Sequence, residues 1–145
     1  MRISTRIRYG LRAMIDLSGH CKQKAAAARD IASRTGISVK YLEQVLLDLK
    51  KGGLVRSVRG MGGGFLLARE PEKITALEVV TTLGGSLTLV DCLETRIICK
   101  RSELCAARKL WARVNEAVCQ ILSTISLKEL ADQQAICEKM PTYVI

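Results

Sequence analysis

Between residues 37 and 67 a helical apolar stripe gives way to two short strand-like runs around a glycine cluster, and no other stretch constrains the fold as strongly. Leu42, Val45, Leu46 and Leu49 recur at helical spacing, which predicts a helix with one buried stripe, and Ser38 stands where a polar residue caps it. Lys50-Lys51-Gly52-Gly53 closes that helix, with cations over its negative end and glycines as C-cap. Leu54, Val55 and Val58 form the next apolar run, followed by Arg59, a glycine tip over 60–64 and Phe65-Leu66-Leu67. Two strands joined by such a loop, with an arginine at its base, predict a β-wing. Helix and wing together form a device for reading duplex DNA, so nucleic acid is the first partner expected.

The flanks support this arrangement. Ile7, Leu11, Met14, Ile15 and Leu17 predict a first helix over 4–20, capped by Ser4, with Arg2, Arg6, Arg8 and Arg12 on or near its other face. A connector over 21–25, a short helix over 26–35 that turns Ile31 inward, and a turn at Gly36 complete a helix-turn-helix layout. Beyond Pro71, Thr75 caps a helix through Leu77, Val79, Val80 and Leu83 that stops at Gly84-Gly85. Periodicity fails from Ser86 to Leu104. Leu110, Val114, Ala117, Ile121 and Ile125 then recur at three- and four-residue steps. They predict a long helix with a narrow apolar seam, the kind that pairs with a copy of itself. Ser126 caps a last short helix around Leu127 and Leu130. The expected fold class is mainly α: a winged helix-turn-helix DNA-binding domain over 1–83, a cysteine-bearing loop over 84–105, and a long C-terminal dimerisation helix with its tail over 106–145.

Charge follows the same division. Residues 1–70 hold 14 Lys/Arg against 5 Asp/Glu, whereas residues 71–145 hold 9 of each, so the whole net charge of +9 lies with the helix and wing. Phosphate neutralisation asks for that distribution. No apolar run reaches the roughly 18 residues of a membrane span, and the N-terminus lacks the apolar core of a signal peptide. A cytoplasmic protein is expected, whose six cysteines are reduced, metal-bound or redox-active rather than paired in structural disulfides. An enzyme is not expected: there is one histidine, no nucleophile–base pair and no cofactor motif. The glycine tip lacks the lysine of a phosphate-binding loop and opens no helix.

Cys92, Cys99 and Cys105 follow a C-x6-C-x5-C spacing on an irregular loop entering a helix. Such a loop can curl three thiolates around an iron cluster. Zinc sites favour tight C-x2–4-C pairs, which are absent. A metal or cluster and a set of reduced, partly buried thiols both remain open at this point. Cys21, Cys119 and Cys137 are isolated, and Cys119 is expected to pack in a core. His20, at a helix end, reads as a surface or satisfied histidine.

The segments MetArgIleSerThr, the helix SerValLysTyrLeuGluGlnValLeu, the wing ValArgSerValArgGlyMetGlyGlyGlyPheLeuLeu, IleThrAlaLeuGluVal, the three-cysteine loop and LysLeuTrp at 109–111 resemble the IscR/NsrR/CymR family of winged-helix repressors. The resemblance runs from residue 1 to about 132. It implies a homodimer joined through the long C-terminal helix, bound to a palindromic operator in double-stranded DNA. It further implies that Cys92, Cys99 and Cys105 ligate a [2Fe-2S] or [4Fe-4S] iron–sulfur cluster. Two departures leave the fourth ligand unidentified. Where IscR-like members carry a histidine three residues after the third cysteine, this chain has Arg108, and where NsrR-like members carry a carboxylate, it has Arg8.

In such a fold the recognition helix enters the major groove and the wing flanks the minor groove. Ser38, Lys40, Tyr41 and Gln44 take its N-terminal and outward positions, with Gln44 able to pair bidentately with adenine. The resemblance makes Glu43 a residue that discriminates between operator classes. Arg59 is the wing residue for a narrow minor groove, and Arg2, Ser4, Lys51 and Arg56 are assigned to phosphates. Two other functions compete. CymR-like members, which the chain also resembles, carry no cluster and respond to cysteine supply through cysteine synthase. The tail Tyr143-Val144-Ile145 ends in an isoleucine carboxylate, as do peptides that enter that enzyme's active site. Direct thiol-redox sensing by the same cysteines is the other.

Overall fold

The computed structural model describes residues 3–20, 24–94 and 104–139. Among these residues seven α-helices and one hairpin follow in order: α1 (Thr5–His20), α2 (Ala28–Thr35), α3 (Val39–Lys51), β1 (Val55–Val58), β2 (Gly64–Leu67), α4 (Ala76–Gly84), α5 (Asp91–Glu94), α6 (Ala106–Thr124) and α7 (Leu127–Lys139). The mainly α, winged helix-turn-helix class expected from the sequence is the one observed.

The core is built where the apolar periodicities meet. Met14 and Leu17 of α1, Ile31 of α2, and Leu42, Val45, Leu46 and Leu49 of α3 are fully or almost fully buried in one cluster. Each such side chain contributes about 1.5–3 kcal/mol relative to leaving it exposed. Ile7, Leu11 and Ile15 are only half-buried along the flank of α1. Ser4 caps α1 as expected, its Oγ accepting from the Ile7 N–H at 3.3 Å.

The turn between α2 and α3 needs its glycine. Gly36 sits at φ 68° and donates to the Ala32 carbonyl at 2.9 Å, which swings α3 away from α2 within one residue. At the far end of α3 the expected glycine cap is shared differently. Gly52 keeps φ −76°, and the left-handed conformation falls on Gly53 at φ 73°.

β1 and β2 pair antiparallel in the register Val55↔Leu67, Arg56↔Leu66, Ser57↔Phe65 and Val58↔Gly64. Ala26, ahead of α2, adds a further rung: it exchanges hydrogen bonds of 2.9 and 2.8 Å with Phe65. The wing is thereby tied to the helix-turn-helix from both ends. Beyond it, Thr75 and Glu78 form a capping box, with the Glu78 N–H on Thr75 Oγ1 at 3.3 Å and the Thr75 N–H on Glu78 Oε2 at 2.9 Å.

The C-terminal region divides. The last helix, expected to be short, runs for 13 residues and folds back onto α1. A bridge between Thr75 and Ser126 aims it there, with Leu127 N–H donating to Ile74 O and Ala76 N–H to Ile125 O, both at 2.9 Å. Leu127 is fully buried. By contrast, α6 has 19 residues and none of them is buried.

Candidate nucleic-acid interface

The outward face of α3 follows from its inward one. With Leu42, Val45, Leu46 and Leu49 pointing into the core, the helical period leaves Lys40, Glu43, Gln44, Leu47 and Lys51 exposed on the opposite side. Ser38 occupies the N-cap position, but its side chain makes no capping hydrogen bond, contrary to the expectation that it would. Its hydroxyl is at the helix N-terminus, where backbone N–H groups and the positive end of the dipole favour a phosphate.

Tyr41 departs from its expected outward position. It is half-buried, its ring meeting Tyr9 of α1 edge to face at 5.8 Å between centroids and 87° between planes. The Arg12 guanidinium stacks over the other partner, 5.6 Å from the Tyr9 centroid. Tyr41 therefore fixes the start of α3 on α1 while leaving one edge to solvent.

Asp48 organises the basic residues behind this face. Its carboxylate pairs with Arg6 and, at 3.6 Å, with Lys51, so the phosphate assignment of Lys51 competes with an ion pair on its own helix. Lys50 Nζ donates to Ser57 Oγ at 2.6 Å and links the end of α3 to β1. Arg56 is exposed on β1, and Arg59 is exposed just past Val58, the last residue of the ladder. Ser4 is exposed at the head of α1; Arg2 lies outside the described residues. The structure thus brings Ser38, Lys40, Glu43 and Gln44 onto one helix end, with Arg56 and Arg59 on the wing beside it.

Several contributors were not singled out from sequence. Val39 and Leu47 are exposed apolar side chains on α3, and Met61 stands clear of the wing. A helical-wheel count from the core positions would have found Leu47. Asp16 is buried to 7% exposure and accepts two hydrogen bonds from Arg34, at 2.8 and 2.7 Å, clamping α1 to α2. His20 Nδ1 is 3.2 Å from the same carboxylate, in line with a satisfied histidine.

The cysteine region lies away from this face. Cys92 is on α5, Cys105 is the N-cap of α6, and both are half-buried; Cys99 lies outside the described residues, as do Cys21 and the tail that ends at Ile145. Arg108 joins the two placed cysteines. Its backbone N–H donates to Cys105 Sγ at 3.4 Å, and its Nε donates to the Cys92 carbonyl at 3.0 Å. Both thiols are free, and α5 packs on α6. Among the described residues alone, no three His, Cys, Asp or Glu side chains are grouped to hold a metal ion. Cys119 is half-buried on α6, 3.9 Å from Asn115 Nδ2, and Cys137 is exposed. No helix of the described residues is long and apolar enough to cross a membrane.

Comparison with known proteins converges on one group. Residues 3–133 match the Rrf2 model, described as an iron-dependent transcriptional regulator. The HTH-type transcriptional regulator IscR of Photorhabdus laumondii is 36% identical over 138 residues, which cover 95% of this chain and 84% of that one. CymR, the global cysteine regulator of B. subtilis, superimposes with a TM-score of 0.78 at 35% identity, over 92% of this chain and 98% of that one. IscR of T. potens also gives a TM-score of 0.78, at 31% identity over 99% and 95%. These relatives are named for regulation and not for a chemical reaction.

Proposed function

This chain belongs to the Rrf2 family of transcriptional regulators, and we propose that it is a homodimeric repressor that reads a palindromic operator and senses iron–sulfur status. The observation that carries the DNA reading is the shared placement of an exposed polar helix face and an arginine-bearing wing. Lys40, Glu43 and Gln44 address base edges in the major groove, and Arg59 addresses the minor groove. Ser4, Ser38, Lys51, Arg56 and Arg2 position the protein on phosphates.

Dimerisation is supported by α6. Leu110, Trp111, Val114 and Ile121 form an exposed apolar stripe along it. A helix of this length with no buried residue gains little from propensity alone and asks for a partner surface. A second copy supplies that surface and creates the two-fold symmetry that a palindrome mirrors. In this reading residues 84–105 form the sensing loop and residues 106–145 the dimerisation helix and tail.

Cys92, Cys99 and Cys105 would hold the iron–sulfur cluster, which would supply a redox- and iron-dependent cross-link between α5 and α6. The placement of Cys92 on α5 and of Cys105 at the N-cap of α6, two elements in contact, supports this. The test is an anaerobic ultraviolet–visible spectrum with iron and sulfide quantitation, on the wild type and a Cys92/Cys99/Cys105→Ala variant. Charge-transfer bands that vanish in the variant are expected.

A second reading has its own observation. Arg108 stands where a ligand histidine would complete the set, and its side chain is already engaged with Cys92. The similarity to a global cysteine regulator points the same way. In that reading the protein is cluster-free and is controlled by a partner enzyme such as cysteine synthase through Ile145, or by oxidation of the thiols themselves. A colourless, iron-free protein that still selects a palindrome would decide for it, with deletion of Ile145 as the next step.

A further inference from the structure

Met61 is the most exposed large apolar side chain among the described residues, at 108% of its reference accessibility. It stands at the apex of the wing, past the last ladder pair Val58↔Gly64. The turn that carries it is closed: Gly63 N–H donates to the Gly60 carbonyl at 2.9 Å. Gly62, directly after Met61, adopts φ 77°, the left-handed value that the third position of a type II turn requires. A Cβ on Gly63 would lie 2.4 Å from the Val58 carbonyl oxygen, so the tip is drawn in as closely as glycine permits. A tight, hydrogen-bonded turn therefore holds an apolar side chain outward, two residues beyond Arg59.

We propose that Met61 is an apolar wedge that enters the minor groove beside Arg59 and bends the bound duplex. The proposal rests on the DNA reading given above and adds a deformation step to it. Burying a methionine side chain is a large gain for a single residue, and none of the described residues covers Met61. The minor groove is about 6 Å wide, and its walls are sugar carbons. An unbranched thioether is slim and flexible enough to enter it. Methionine has no hydrogen-bond donor, so it reads no donor–acceptor code. It reads deformability: inserted apolar side chains part neighbouring base pairs and kink the duplex by roughly 20–90°. Pyrimidine–purine steps part most easily, and the wedge favours operators with such a step under the wing. The division of labour is then clear. Arg59 holds the groove electrostatically, and Met61 selects sequence through the ease of bending.

The test uses the full chain and a duplex selected by the wild type from random sequence, labelled at both ends. End-to-end energy transfer reports bending, and titration at several salt concentrations reports affinity and its salt slope. Met61→Ala is expected to straighten the duplex and weaken binding roughly tenfold, with the salt slope unchanged because no phosphate contact is lost. Met61→Leu is expected to retain most of the bend. Specific duplex should also shield Met61 from peroxide oxidation, read by peptide mapping. Bending and affinity in Met61→Ala equal to wild type would overturn the wedge while leaving the DNA reading intact. A wild type that selects no duplex would overturn both. Met61 packs against no core residue, so the variant's circular dichroism should match the wild type.

Discussion

Arg108 ties α6 to α5 through Cys92: its Nε donates to the Cys92 carbonyl at 3.0 Å, although the two residues stand 16 positions apart. The same residue donates its backbone N–H to Cys105 Sγ. One arginine therefore registers two cysteines against each other before any ligand is considered. Arg108→Ala removes the side-chain bond only, worth about 1 kcal/mol net. Amide exchange in residues 91–94 should accelerate about fivefold, with exchange in α3 unchanged. Equal protection of residues 91–94 in both proteins would show that the bond does not hold α5.

Groove and phosphate contacts separate in their salt response. Arg59→Ala should weaken operator binding by about 1–3 kcal/mol and random DNA much less, whereas Arg56→Ala should mainly lower the salt slope by about one unit. Fluorescence anisotropy on operator and scrambled duplexes across a salt series measures both. Equal losses on the two duplexes for Arg59→Ala would remove its assigned role in the groove.

The exposed stripe of α6 can be tested without disturbing the core. Leu110→Glu with Ile121→Glu places carboxylates on side chains that are 55% and 60% exposed in a single copy. Sedimentation should find the mass halved with helical content retained. A variant that sediments as the wild type would place the dimer contact elsewhere.

The fully buried Leu127 makes α7 part of the core. Leu127→Ala should cost about 2–5 kcal/mol, the range for a leucine whose cavity cannot collapse. Urea unfolding should show a lower midpoint at an unchanged slope. A loss under 1 kcal/mol would mean that α7 docks on α1 without supporting it.

The capping box brings a pH dependence. Burial alone pushes the Glu78 carboxyl up, but hydrogen bonds from Arg69 and the Thr75 backbone, with the Arg69 charge and the Thr75 hydroxyl, hold it below its ordinary value of 4.5. A carboxyl depressed in the folded state adds stability at pH values above its unfolded pKa. That contribution is lost as pH falls through the folded value. The stability gap between wild type and Glu78→Gln should be constant near neutrality, no more than about 1 kcal/mol for so exposed a pair. It should close as the pH falls below 4.5. Thermal melts from pH 7 to pH 3 measure it, and a gap that widens on acidification would contradict the assignment.

Much of the interface was legible in the sequence because near neighbours encode it. The stripe of Leu42, Val45, Leu46 and Leu49 dictates which side of α3 faces out, and the glycines at 60–64 announce the wing whatever lies around them. The half-buried state of Tyr41 is not legible locally, because it depends on Tyr9, a residue from another helix. Ser38 was misread as a side-chain cap because residue type predicts the N-cap position better than the bond made there. The burial of Asp16 is not legible in α1 alone, because only its pairing with Arg34, 18 positions away, makes it tolerable.

What the sequence determined by itself was local: the helical stripes, the Thr75 cap, the wing, and a basic half beside a neutral one. Each is set by residues within a few positions of one another, where periodicity and hydrogen-bond chemistry act without the rest of the chain. The tertiary structure decided which helix each stripe would meet. It folded α7 onto α1, left the apolar stripe of α6 uncovered, and brought Arg108 to Cys92. Those outcomes depend on closing long loops against conformational entropy, and only the summed burial of the whole core determines which closures are stable.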